Sequence, residues 1–126
     1  MRFEYPVQVV RAWIGENISV RVATDVPASR PPRFVTLEAL SSSGGYAGVK
    51  AQVLSRRRVL VYAWGTDESD AYSLCEQVRE LLMALPRQRR GVRAVGIVGE
   101  PARRDDPQSG HRRFVMTVDL TMRSKP

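Results

Sequence analysis

Cysteine and histidine are each present once in 126 residues, as Cys75 and His111, and no internal disulfide can form. A zinc site needs three or four ligands from histidine, cysteine and carboxylates, which two isolated residues do not supply. Any nucleophile–histidine pair would have to use His111, which sits in a stretch crowded with arginines and turn residues. Cys75 falls on an apolar helical stripe, the setting of an inert core thiol. Lysine is scarce too: Lys50 and Lys125 are the only two, and the other eighteen basic residues are arginine. "GGYAG" therefore has the glycines of a phosphate loop but neither its lysine nor its strand-to-helix setting. Long apolar runs are missing. The opening "MRFEYPVQVVRAWIGEN" is interrupted by Arg11 and Gly15, unlike a signal peptide or a membrane span, and predicts a chain made and kept in a cytoplasm. These gaps argue against catalysis and predict no enzyme activity, metal or cofactor.

What is present is an ordinary globular composition, 43% hydrophobic and 26% charged, in a length that suits one domain over residues 1–126. The net charge is +7, and the segment from Arg87 onward carries +6 of it. An arginine-rich surface suits phosphates or carboxylates, which guanidinium grips through paired hydrogen bonds. A solvated face is the plainer reading.

The pattern predicts a short helix in "PVQVVRAWIG", opened by Pro6 and closed by Gly15. "SVRVAT", "RFVTLEAL" and "RRRVLVYAW" read as strands, the third continuously apolar and so central. Between the first two, "DVPASRPPR" has too many prolines for helix or strand, and "SSSGGYAG" after the second is a glycine-rich tip. "TDESDAYSLCEQVRELLMALP" carries an apolar stripe from Ala71 to Leu85, with Thr66 or Asp67 as cap and Pro86 as stop. "GVRAVGIVGEP" and the alternating "RRFVMTVDLTMR" complete the strands. The predicted class is α+β: a largely antiparallel or mixed sheet of about five strands, a long helix on one face and the short N-terminal helix alongside or at an edge.

Two candidate surfaces follow. Arg103, Arg104, Asp105, Asp106, Arg112 and Arg113 frame the long connection "RRDDPQSGHRR", which reads as a docking loop for a subunit, a tube or a channel, with His111 a bystander. Asp105 and Asp106 before Pro107 are better turn formers than cation ligands. Arg56, Arg57 and Arg58, with Arg87, Arg89 and Arg90, form further basic clusters that could line a lumen or meet a partner, and with the first set could make one phosphate-neutralising surface. Tyr62 and Trp64 read as core rather than as base-stacking platforms.

Three pieces, in order, carry a family resemblance: Ala63-Trp64-Gly65 running into an acidic helix start with Ala71, then Gly99-Glu100-Pro101, then Asp106-Pro107 and Gly110 before Arg113-Phe114. From about Pro32 onward the chain resembles the tail terminator (tail completion) proteins of long-tailed bacteriophages, the lambda-type minor tail protein family. The resemblance implies a virion protein, typically a homohexameric ring, that caps the tail tube, ends its polymerisation and joins tail to head. Its partners would be the tube protein, a head-completion or connector protein, and genomic DNA passing through the ring. A neck connector and a sequence-nonspecific nucleic-acid-binding domain are the alternatives.

Overall fold

The computed structural model describes residues 2–41, 48–88 and 91–125. The elements run α1 (Pro6–Asn17), β1 (Arg21–Ala23), β2 (Phe34–Leu40), α2 (Val49–Val53), β3 (Leu54–Trp64), α3 (Glu68–Gln88), β4 (Val92–Arg103) and β5 (Arg113–Arg123). The five strands form one mixed sheet in the order β1-β2-β3-β5-β4, with β1 parallel to β2 and every other pair antiparallel. The expected α+β class is what the chain adopts, and β3, the most continuously apolar strand, is indeed the middle one.

Register explains the layering. Val35, Ala63 and Phe114 stand abreast, as do Leu37, Val61 and Met116, and side chains on one face recur every second residue. This face forms the main core with Val118, Leu120 and Met122 of β5, Val7, Val10 and Ile14 of α1, and Leu74, Val78, Leu82 and Leu85 of α3. α1 lies beside α3, over β1 to β3, while α3 covers β3, β5 and β4. Trp13 pins the two helices by donating its indole N–H to the Leu81 carbonyl at 2.7 Å. Cys75 is fully buried here, and burial pushes its thiol up to about 12, so it carries no nucleophilic thiolate at neutral pH.

The start of α3 is capped from both sides. Asp67 accepts from the Asp70 N–H at 2.8 Å, while Asp70 reaches back to the Thr66 N–H at 3.0 Å, a reciprocal arrangement that satisfies otherwise orphaned donors. Gly65 precedes this turn because nothing larger fits: a Cβ there would stand 2.4 Å from the Ala71 nitrogen.

Several expected boundaries shift. α1 continues past Gly15 to Asn17, with the Ile18 N–H closing on the Ile14 carbonyl at 3.0 Å. Pro86 does not stop α3 at once, and the helix runs on to Gln88 before it ends. Gly99-Glu100-Pro101 lies within β4, not after it, and the strand tolerates Pro101 because β4 is an edge, with register shifts at three places along its pairing with β5. α2 has no counterpart in the sequence reading. Its five residues carry too little periodicity to register. Most of the glycine-rich tip, residues 42–47, lies outside the described residues.

Candidate docking site on the uncovered face

No described helix packs on the other face of the sheet. At one end of it Phe34 and Trp64, outside the main core cluster yet almost fully buried, stack at 4.9 Å with their rings 16° apart. The Trp64 indole donates to Thr36 Oγ1 at 3.0 Å, so its polar atom is satisfied inside. Arg113 of β5 lies over the Tyr62 ring at 4.1 Å and the Trp64 ring at 4.9 Å, and Arg30 lies 5.7 Å from the Trp64 ring centre.

Above this floor stands the β4–β5 connection, residues 104–112, and its shape follows from its turn chemistry. Asp106 accepts from the Gln108 N–H at 3.3 Å and from the Ser109 hydroxyl at 2.5 Å, while its carbonyl accepts from the Gly110 N–H at 2.7 Å. Gly110 adopts φ +72°, which a side chain would disfavour. The Asp106 N–H bonds the His111 carbonyl at 3.0 Å and the Arg104 N–H bonds the Arg113 carbonyl at 3.0 Å, continuing the hairpin beyond the strands. Asp106 thus forms the turn, as its place before Pro107 implies, while Asp105 pairs with Arg103 and Arg112.

The four arginines of the hairpin divide into two kinds. Arg103 makes a two-pronged contact to Asp105 with both distances at 3.1 Å, and a 2.9 Å ion pair with Glu68 at the start of α3. Arg112 reaches Asp105 at 3.4 Å and donates to the Gly110 carbonyl at 2.9 Å. Arg113 donates Nε to the Arg104 carbonyl at 2.7 Å and forms no ion pair among the described residues, though its charge acts on nearby Asp106. The Arg104 side chain is exposed and pairs with nothing among the described residues. Arg104 and Arg113 border an open depression of about 540 Å³ on the uncovered face, whose walls include Leu60, Tyr62 and Val115.

Arg30 was not among the residues singled out in sequence, yet it latches the hairpin to the proline-rich loop. Its Nη1 lies 3.0 Å from Ser109 Oγ, 3.0 Å from His111 Nδ1 and 3.9 Å from Asp106. A guanidinium only donates, so His111 accepts at Nδ1. His111 is therefore a structural partner of Arg30, not a bystander. A lone arginine between alanine, serine and prolines carries no pattern that announces a contact some eighty residues away. Arg33 similarly lies 2.9 Å from Asp70 as an ion pair, though its Nε is not aligned for a hydrogen bond.

The remaining basic clusters do not join this site. Arg58 and Asp119 face each other across β3 and β5 in a two-pronged pair at 2.8 and 3.1 Å, and Arg57 points to the opposite side, over Phe3. Arg56 is exposed, near the far end of the ladder. Six residues of β5 separate Asp119 from Arg113, about 20 Å of strand. Arg56 to Arg58 and the hairpin arginines therefore occupy opposite ends of the ladder rather than one surface. Arg89 and Arg90 lie outside the described residues; Arg87 is in the last turn of α3.

Asp105 and Asp106 both titrate below the ordinary aspartate range, Asp105 chiefly through its bond from Arg103 and Asp106 through its bond from Ser109. A carboxylate whose pKa is depressed on folding stabilises the fold above its unfolded pKa and loses that contribution as pH falls through the depressed value. The hairpin is expected to hold its amides protected at neutral pH and to release those of Gln108 and Gly110 below about pH 4. Hydrogen exchange across an acid series checks this, and amides that stay equally protected well below that point would count against the turn being held by ionised aspartates.

No protein-family model matches the chain, and a search of curated proteins finds no match either. No described helix is long and apolar enough to cross a membrane.

Proposed function

We propose that the protein is a structural component of a long-tailed phage virion: a ring, of the hexameric kind, that caps the tail tube, ends its polymerisation and joins the tail to the filled head. The observation that carries this reading is the construction of the β4–β5 hairpin. It is exposed, polar and held in one shape by its own hydrogen bonds and by Arg30, so docking it onto a partner costs little further ordering. A sheet covered by helices on one side only also presents two unlike surfaces, and a closed ring of identical subunits uses two unlike surfaces of each. The resemblance in Trp64-Gly65 into the capped helix and in the hairpin supports the tail tube as the template, and the preformed hairpin supports docking as the means.

A head-completion or neck connector role would use the same surfaces and is the nearest alternative. Plain nucleic-acid binding is supported less well. Arg58, Arg79, Arg103 and Arg112 are already paired with carboxylates, so much of the positive charge is not free to neutralise phosphates. In the ring reading DNA is a passing occupant of the channel, not the target.

Light scattering of the purified protein, with and without tail tubes, tests the proposal. The expected result is a ring, or a monomer that becomes a ring at tube ends and halts tube growth. A protein that ignores tubes but binds the head connector would move the assignment to the neck. A monomer that ignores both and binds duplex DNA, with an affinity falling steeply as salt rises, would overturn it.

A further inference from the structure

We infer that the depression bordered by Arg104 and Arg113 is a receptor for an extended protein segment that carries a carboxylate beside an apolar side chain. The inference rests on the reading of the hairpin as a docking element, but not on the tail tube being its target.

The hairpin sorts its own charges. Arg103 and Arg112 share Asp105, and Arg103 also meets Glu68, so their charge is answered within the molecule. Neither Arg104 nor Arg113 forms an ion pair among the described residues, although the charge of Arg113 acts on Asp106, and both stand beside the same depression. Arg113 is held ready: its Nε is fixed by the Arg104 carbonyl and its guanidinium carbon stands 4.1 Å from the centre of the Tyr62 ring. A planar guanidinium stacked on an aromatic ring is suited to gripping a carboxylate with little loss of side-chain freedom.

The walls decide between ligand classes. Leu60, Tyr62, Val115 and Pro107 are surfaces for an aliphatic or aromatic side chain, which a phosphate backbone does not offer. Asp105 also lines the depression and Asp119 lies further along the face, so a polyanion laid across it would meet more carboxylates than a single acid placed beside Arg104 and Arg113. Half-buried Leu60, Tyr62, Val115 and Thr117 alternate along two antiparallel strands, which gives an extended segment side-chain positions in register with its own alternation.

The probe is a capped peptide of alternating leucine and glutamate, titrated into isotopically labelled full-length protein while backbone amide shifts are followed. The expected result is saturable shifts centred on Leu60, Tyr62, Val115 and Thr117, with binding weakened about tenfold or more by Arg104→Glu, the range for losing a charge-assisted contact. The Arg104 side chain has no partner among the described residues, and its backbone bonds to Arg113 survive the substitution, so this variant keeps the fold, as its amide spectrum away from the hairpin verifies. A leucine–glutamine peptide should bind much less well. Tighter binding of a short DNA duplex at the same amides would overturn the inference in favour of phosphate. Shifts of that face on dilution of the protein alone would overturn it in favour of a second copy. Absence of shifts there, or indifference to Arg104→Glu, would overturn it outright. Failure of tube capping with intact peptide binding would instead defeat the proposed role and leave the receptor standing.

Discussion

Trp64→Ala is expected to cost about 3 to 5 kcal/mol of unfolding free energy, the range for emptying a large aromatic site. Trp64 is 2% exposed and is the largest side chain buried in the chain, yet it belongs to the small cluster on the otherwise uncovered face. Its removal takes the stacking partner from Phe34, the donor from Thr36, and the aromatic surface from beneath Arg113 and Arg30. The main core beneath α1 and α3 is untouched, so the loss reports the second cluster alone. Trp64→Phe keeps a ring but strands the Thr36 hydroxyl, and should cost about 1 to 2 kcal/mol. Urea unfolding followed by circular dichroism measures both. A loss below 1 kcal/mol for the alanine variant would mean that the Phe34–Trp64 cluster closes up easily and does not support the hairpin.

Gly65→Ala should be nearly as damaging, about 3 kcal/mol, at the upper end for forcing an extra methyl into a filled space. The added carbon would sit 2.4 Å from the Ala71 nitrogen, 2.7 Å from its Cα and 2.9 Å from the Asp70 carbonyl carbon. All three are backbone atoms in the first turn of α3, so relief requires moving the helix, not swinging a side chain. That movement would strain the Asp67–Asp70 cap and the Gly65 N–H bond to the Arg112 carbonyl at 3.2 Å, which ties this corner to the hairpin. By contrast Gly15→Ala meets nothing within 4 Å and should be tolerated or slightly stabilising, since alanine favours a helix. Thermal unfolding of the two variants side by side checks the contrast, and equal midpoints would refute the close-approach account. Because Trp64 and Gly65 are adjacent and both bear on the hairpin, their effects should not add.

The parts of the fold legible in sequence are those governed by periodicity. β5 alternates Phe114, Met116, Val118, Leu120 and Met122 without a break, and each of them is buried. α3 announces itself by its stripe and its acidic first turn. What sequence did not disclose depends on contacts between distant residues. Nothing in "DVPASRPPR" indicates that Arg30 would grip Ser109 and His111, and nothing in "RRDDPQSGHRR" indicates that Arg103 and Arg112 would share Asp105 while Arg113 settled over Tyr62 and Trp64. The candidate loop was visible as a loop; its division into answered and unanswered charges is a property of the folded hairpin. Pro86 illustrates a milder limit, since a proline marks the end of this helix only to within two residues.

The two borders of the sheet have a consequence for how this chain can associate. β1 offers only three residues of strand, and β4 loses step with its neighbour three times and carries Pro101. Neither border presents the flat, regular row of amides that another strand could copy, so the sheet is a template that ends with itself. Association is thereby left to faces and loops, which come apart and rebind, and is steered away from the edge-on growth by which small β-rich proteins turn into fibres.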